Sequence, residues 1–150
     1  MNNPRSPRFK WPLVLIAALT SQVVLLLADV IFVSYYSWFA NPGHDQAFYS
    51  AFAQETAGAF VFCFAPPFLY LVTTWLCDKA AHSPWLHAMA FITLYYVLDL
   101  GIIVMMAADK LGDTLHAGYL TNLAMMYVSA AVSVWLWQRR QARRSGSAAD

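Results

Sequence analysis

The chain has 150 residues, of which 60% are hydrophobic, 16% aromatic and only 11% charged, and its mean hydropathy is +0.49. An average soluble domain carries about 25% charged residues. A water-soluble protein of this size could not bury so much apolar surface, so the composition excludes an ordinary soluble domain and predicts a protein whose main solvent is lipid. We expect residues 1–150 to form a single integral membrane domain.

Four segments are long and apolar enough to span a bilayer, which requires about 20 mostly apolar residues. They cover residues 11–39, 49–77, 85–108 and 117–138. Short connections containing Pro, Gly or both separate them, and such connections favour antiparallel neighbours. The sequence therefore predicts an all-α, up-down-up-down bundle of four transmembrane helices. We expect the tail, residues 139–150, to be disordered.

The basic residues are segregated along the chain. With four spans, eight of the nine Lys and Arg residues fall on one side of the membrane: Arg5, Arg8, Lys10, Lys79, Arg139, Arg140, Arg143 and Arg144. Only Lys110 falls on the other side. The positive-inside rule then places both termini in the cytoplasm. We expect a bacterial inner membrane protein whose arginines face the lipid headgroups, with no nucleic acid as a partner.

Four polar side chains are expected within the membrane or at its edge: Asp29, Glu55, Asp99 and Asn122. No Lys, Arg or His lies near the middle of a span to pair with the carboxyl groups, so these groups should face the bundle interior or a wet cavity. We expect at least one of Asp29 and Asp99 to be protonated at neutral pH. Helical spacing makes Gln22 a hydrogen-bond partner for Asp29, and Tyr95 and Tyr96 partners for Asp99.

These carboxyl groups allow two principal functions. In the first, Asp29, Asp99, Glu55 and Asn122 form a site for a proton or small cation in a small transport or ion-coupling protein. Four helices enclose little volume, so this function favours a homo-oligomer. In the second, the chain is a non-catalytic scaffold or accessory subunit, and neutral carboxylic acids hold its helices together. An enzyme ranks third, because the sequence contains neither a glycine-rich phosphate loop nor a Ser–His–Asp pattern.

A metal site at the outer loops is a further, minor hypothesis. Its ligands would be His44, Asp45, Asp113 and His116, whose nitrogen and oxygen donors suit zinc or a similar divalent ion. No cofactor is expected, because no pair of histidines faces each other across the helices. Cys63 and Cys77 lie about 21 Å apart along one helix, too far for a disulfide. The consecutive prolines Pro66 and Pro67 should kink the second helix.

Overall fold

The computed structural model describes residues 9–107 and 117–146, and these form a bundle of four long helices. Helix α1 covers Trp11–Tyr35, α2 covers Gln46–Lys79, α3 covers Pro84–Ala107 and α4 covers Ala117–Gly146. Each helix is long and apolar enough to cross a membrane. The described part of the chain contains no strand. The predicted all-α membrane bundle is therefore confirmed.

Helix α1 does not end abruptly. It continues into a π-helical turn, Tyr36–Ala40, which is closed by a bond of 2.9 Å from the Asn41 amide to the Tyr36 carbonyl five residues earlier. The wider turn places the Tyr36 ring flat against Phe52 of α2, with 3.7 Å between ring centroids. The carboxyl group of Asp45 then accepts a hydrogen bond from the Phe48 amide and caps the start of α2.

Helix α4 extends beyond its expected end at residue 138. The structure continues it to Gly146, so the expectation of a disordered tail does not hold for residues 139–146. The cause is local. Gln, Arg and Ala dominate this stretch, all are good helix formers, and the first helix-breaking residue is Gly146 itself. The rest of the expected disordered tail, 147–150, lies outside the described residues.

The most extensive packing joins helices that run in the same direction, α1 with α3 and α2 with α4. Helices α1 and α2 pack together less closely, as do α3 and α4, so the order around the bundle is α1, α2, α4, α3. Buried residues from all four helices form one core, with Ala18, Leu69, Phe91 and Ala130 fully buried. Large apolar side chains remain exposed on every helix, as expected where lipid surrounds the bundle.

One end of the bundle carries the start of α1 and the polar ends of its neighbours; we call it the terminal end. There the buried imidazole of His87 accepts a hydrogen bond from the Lys10 amide at Nε2 (3.1 Å). Its Nδ1 lies 2.8 Å from the Ser83 carbonyl, which can only accept, so the imidazole is in the Nδ1–H form. The Lys10 ammonium donates to the Lys79 carbonyl (2.6 Å). These bonds join α1, α2 and α3.

Trp137 also lies at the terminal end, where it is buried between helices. It is only 8% exposed, and its indole N–H donates a hydrogen bond of 2.6 Å to the Asp78 carboxyl group of α2. Trp135, two residues earlier, is exposed, and the Arg139 guanidinium carbon lies 4.2 Å from the centroid of its ring. The basic extension of α4 is thus anchored through two tryptophans, one buried and one exposed.

Candidate functional site: a cavity around Asp99

A cavity of about 640 Å³ lies between α2, α3 and α4. It exists because α2 presents three consecutive small residues there, Ala57, Gly58 and Ala59. A Cβ atom built on Gly58 would meet nothing within 4 Å, so the neighbouring helices do not fill this space. Asp99 and Ile103 of α3 form the opposite wall, and α4 contributes polar side chains.

Asp99 is the carboxyl group of this cavity, and a different helix holds it in place. The side-chain amide of Gln22 on α1 donates a hydrogen bond of 2.9 Å to Asp99 Oδ1. The Tyr119 hydroxyl of α4 lies beside the same carboxyl group without completing a hydrogen bond. Gln22 was expected to bond Asp29; it bonds Asp99 instead, because α1 packs against α3 along their length.

Several polar atoms near Asp99 have no hydrogen-bond partner. The Asn122 Oδ1 and Tyr119 hydroxyl oxygens are both buried and unpartnered, and both residues line the cavity. The Tyr96 hydroxyl is likewise buried without a partner, although its ring packs edge-on against Tyr119 at 5.5 Å. Buried polar atoms are almost always satisfied in proteins, so the unpartnered atoms that line the cavity mark a place where a ligand or water is needed.

The two prolines of α2 directly follow the part of the helix that lines this cavity. Pro66 and Pro67 lack backbone N–H groups, so the carbonyls of Phe62 and Cys63 lose their usual helical donors. Phe62 and Cys63 both line the cavity. The Ser129 hydroxyl of α4 donates to the Pro66 carbonyl (2.7 Å) and secures the interrupted helix. The prolines therefore place backbone acceptors next to the cavity while α2 remains one helix.

The structure does not gather all four predicted site residues. Asp99 and Asn122 line the same cavity, whereas Asp29 and Glu55 are not among its lining residues. Glu55 is exposed on the surface of α2. Asp29 is half-buried on α1, and one of its carboxyl oxygens is buried without a partner. Of the four residues, the structure thus brings only Asp99 and Asn122 together.

The predicted metal ligands lie elsewhere. His44 and Asp45 are exposed in the turn between the π-helical segment and α2, and Asp113 and His116 fall outside the described residues. Asp45 caps α2, and His44 stacks on Phe48 with 4.1 Å between ring centroids. Within residues 9–107 and 117–146 no three His, Cys, Asp or Glu side chains form a metal-binding group. His44 and Asp45 therefore have structural roles at the start of α2.

Sequence reasoning missed two features of the cavity. It gave Tyr119 no place in the site, although Tyr119 is three residues before Asn122 and therefore lies on the same face of α4. That spacing was the available signal. It also gave no role to Ala57, Gly58 and Ala59, because small residues predict close helix packing as readily as an opening.

Comparison of the chain with family models, with curated proteins and with solved structures gave no match.

Proposed function

We propose that this membrane protein is a small transport or ion-coupling protein in which Asp99 binds a proton or small cation. The observation that carries the proposal is the Asp99 carboxyl group beside a cavity that Asn122 and Tyr119 also line, each with a buried and unpartnered oxygen. Ionisable groups within a membrane are costly and usually line ion or substrate pathways. Asn122 supplies an acceptor for the bound ion, and Gln22 orients the carboxyl group.

Orientation, membrane and assembly form part of the same proposal. The excess of basic residues at the terminal end supports a cytoplasmic location for both termini, and a bacterial inner membrane is the corresponding location. A homo-oligomer would extend the pathway that one bundle of four helices begins. Asp29 and Glu55 lie outside the cavity and are proposed as outlying carboxyl groups of the pathway, one half-buried and one exposed.

The alternative proposal is a scaffold or accessory subunit in which Asp99 only joins helices. The hydrogen bond from Gln22 favours it, because this bond ties α1 to α3 in the middle of the bundle. A scaffold needs no exchange of a proton, and an amide in place of the carboxyl group would serve it nearly as well. The two proposals therefore differ in what the variant Asp99→Asn does.

The test is pH-gradient-driven flux in vesicles that contain the purified protein. For a proton or cation carrier, Asp99→Asn inserts and folds normally but abolishes the flux, since an amide cannot release a proton. Asp45→Asn is the matched control, because Asp45 is exposed in the turn before α2 and does not line the cavity, and Asn caps a helix as well as Asp does, so this variant retains the flux. If the wild type carries no flux with a panel of cations and Asp99→Asn equals it in thermal stability, the scaffold proposal replaces this one.

A further inference from the structure

We infer that the cavity around Asp99 binds an organic cation with an apolar body, of the size of a quaternary ammonium or phosphonium ion. This inference rests on the proposed function, because it names the class of ligand that the same carboxyl group takes. A bare ion is much smaller than the cavity and would leave most of it empty. The cavity volume of about 640 Å³ lies within the range of about 300–1,000 Å³ typical of sites for small organic molecules.

The walls of the cavity match such a ligand. Apart from Asp99, Asn122 and Tyr119, the side chains that line it are small or apolar and include Val61, Ile103 and the ring of Phe62. Aromatic faces attract cations, more strongly where water is excluded. The Asp99 carboxyl group supplies the opposite charge, and among the described residues no Lys, Arg or His lines the cavity to neutralise it. An apolar cation therefore neutralises the Asp99 carboxylate and packs against the apolar walls of the cavity.

Other ligands fit the cavity less well. An anion would face the Asp99 carboxyl group, and the described part of the lining offers it no basic side chain. A divalent metal needs at least two or three protein ligands, and the described residues hold no group of three metal-binding side chains. A lipid chain would fill the apolar part of the cavity but would bring no positive charge to the Asp99 carboxyl group.

The chain contains its own reporter for this site. Cys63 is an exposed free thiol and lines the cavity, whereas Cys77, the other cysteine, is completely buried between α2 and its neighbours. A thiol reagent should therefore modify Cys63 and spare Cys77. A ligand that occupies the cavity covers Cys63 and slows its modification. The full chain can be used without an introduced label, and Cys77→Ala confirms that Cys63 is the thiol that reacts.

The experiment measures the rate at which N-ethylmaleimide modifies Cys63 with tetraphenylphosphonium or tetraphenylborate present. These two ions have nearly the same size and shape but opposite charge. At ten times its Kd, tetraphenylphosphonium should slow the modification about tenfold, because the fraction of empty sites falls in that proportion. Tetraphenylborate should not slow it. Protection by both ions would reveal an unselective apolar groove, and protection by neither would show an unoccupied cavity; each result overturns the inference.

Two variants separate this inference from the proposed function. Gly58→Leu places a side chain in the cavity without displacing a neighbour, because a Cβ atom there meets nothing within 4 Å. It should abolish binding of radiolabelled tetraphenylphosphonium, which is measured separately from the flux of protons that depends on Asp99. Asp99→Asn should abolish both. Unchanged binding in Gly58→Leu overturns the organic-cation site alone, whereas unchanged proton flux in Asp99→Asn overturns the proposed function.

Discussion

Gln22 and Asp99 are 77 positions apart in the chain, yet they form the bond that positions the central carboxyl group. Gln22 and Asp29, by contrast, lie seven residues apart on one helix, which separates them by about 10.5 Å along its axis. A glutamine side chain cannot reach across two turns to a short aspartate. A partner on another helix is therefore geometrically favoured, and the parallel neighbour α3 supplies it.

The strength of this bond can be measured at the level of the two residues. We expect a double-mutant cycle of Gln22→Leu and Asp99→Leu to give a coupling of about 0.6 kcal/mol, and at most about 1.7, as for other side-chain hydrogen bonds within membranes. The measurement is unfolding in detergent micelles, with the two single variants and the double variant compared. Strictly additive effects would show that Gln22 does not hold Asp99.

His87 allows a second prediction at this scale. His87→Phe keeps a flat ring against Phe9, which stacks on the imidazole at 4.2 Å, but removes both hydrogen bonds. The Lys10 amide would lose its partner, whereas the Ser83 carbonyl would keep the backbone N–H of residue 87, and an unsatisfied buried group costs about 1–3 kcal/mol. We therefore expect a fall in Tm of several degrees, at about 2–4 °C per kcal/mol. His82→Phe, at an exposed position, should leave Tm unchanged; equal losses would contradict this role.

Among the elements, α2 and α4 form the closest pair, and hydroxyl groups join them where proline interrupts the helix. The Ser129 hydroxyl donates to the Pro66 carbonyl, and the Ser133 hydroxyl lies 2.8 Å from that of Thr74. Neither serine contact depends on charge. They hold α2 against α4, so the missing backbone N–H groups of the prolines do not loosen the helix pair.

Replacing the serine of the proline contact should weaken the α2–α4 pair. Ser129→Ala removes the donor to the Pro66 carbonyl, and we expect a loss of about 0.6–1 kcal/mol in unfolding free energy. Ser34→Ala is the matched control, because the Ser34 hydroxyl bonds only the Val30 carbonyl of its own helix. Unfolding in detergent measures both. A loss in Ser34→Ala as large as in Ser129→Ala would contradict an interhelical role.

The elements also show what the sequence could predict. Apolar segments predicted all four helices, because spanning a bilayer requires a length that composition alone reveals. Asp99 and Asn122 were predictable as a pair, since a polar group in lipid must face protein. The cavity was not predictable. It depends on the order of helices around the bundle and on the open space beside Gly58, and both follow from side-chain packing between helices that are distant in the chain.

At the scale of the whole molecule, the parallel pairing of α1 with α3 and α2 with α4 concentrates positive charge at one end. Lys10, Lys79 and Arg139 meet at the terminal end, and the helical extension continues the charge through Arg143 and Arg144. The described residues 41–45 at the opposite end contain no Lys or Arg. The two ends of the bundle would therefore meet different electrostatic conditions at a membrane with an anionic inner surface.

This asymmetry makes orientation the last prediction. Reporter fusions should read external at Gly43 and cytoplasmic at Ser83 and Ser145, because basic residues next to spans are retained on the cytoplasmic side. Replacing Arg139, Arg140, Arg143 and Arg144 with Gln is the informative control. Four basic residues, Arg5, Arg8, Lys10 and Lys79, would still oppose Lys110 alone, so the orientation should not change. A cytoplasmic reading at Gly43 in the wild type would contradict the orientation and would place the basic extension of α4 outside the cell.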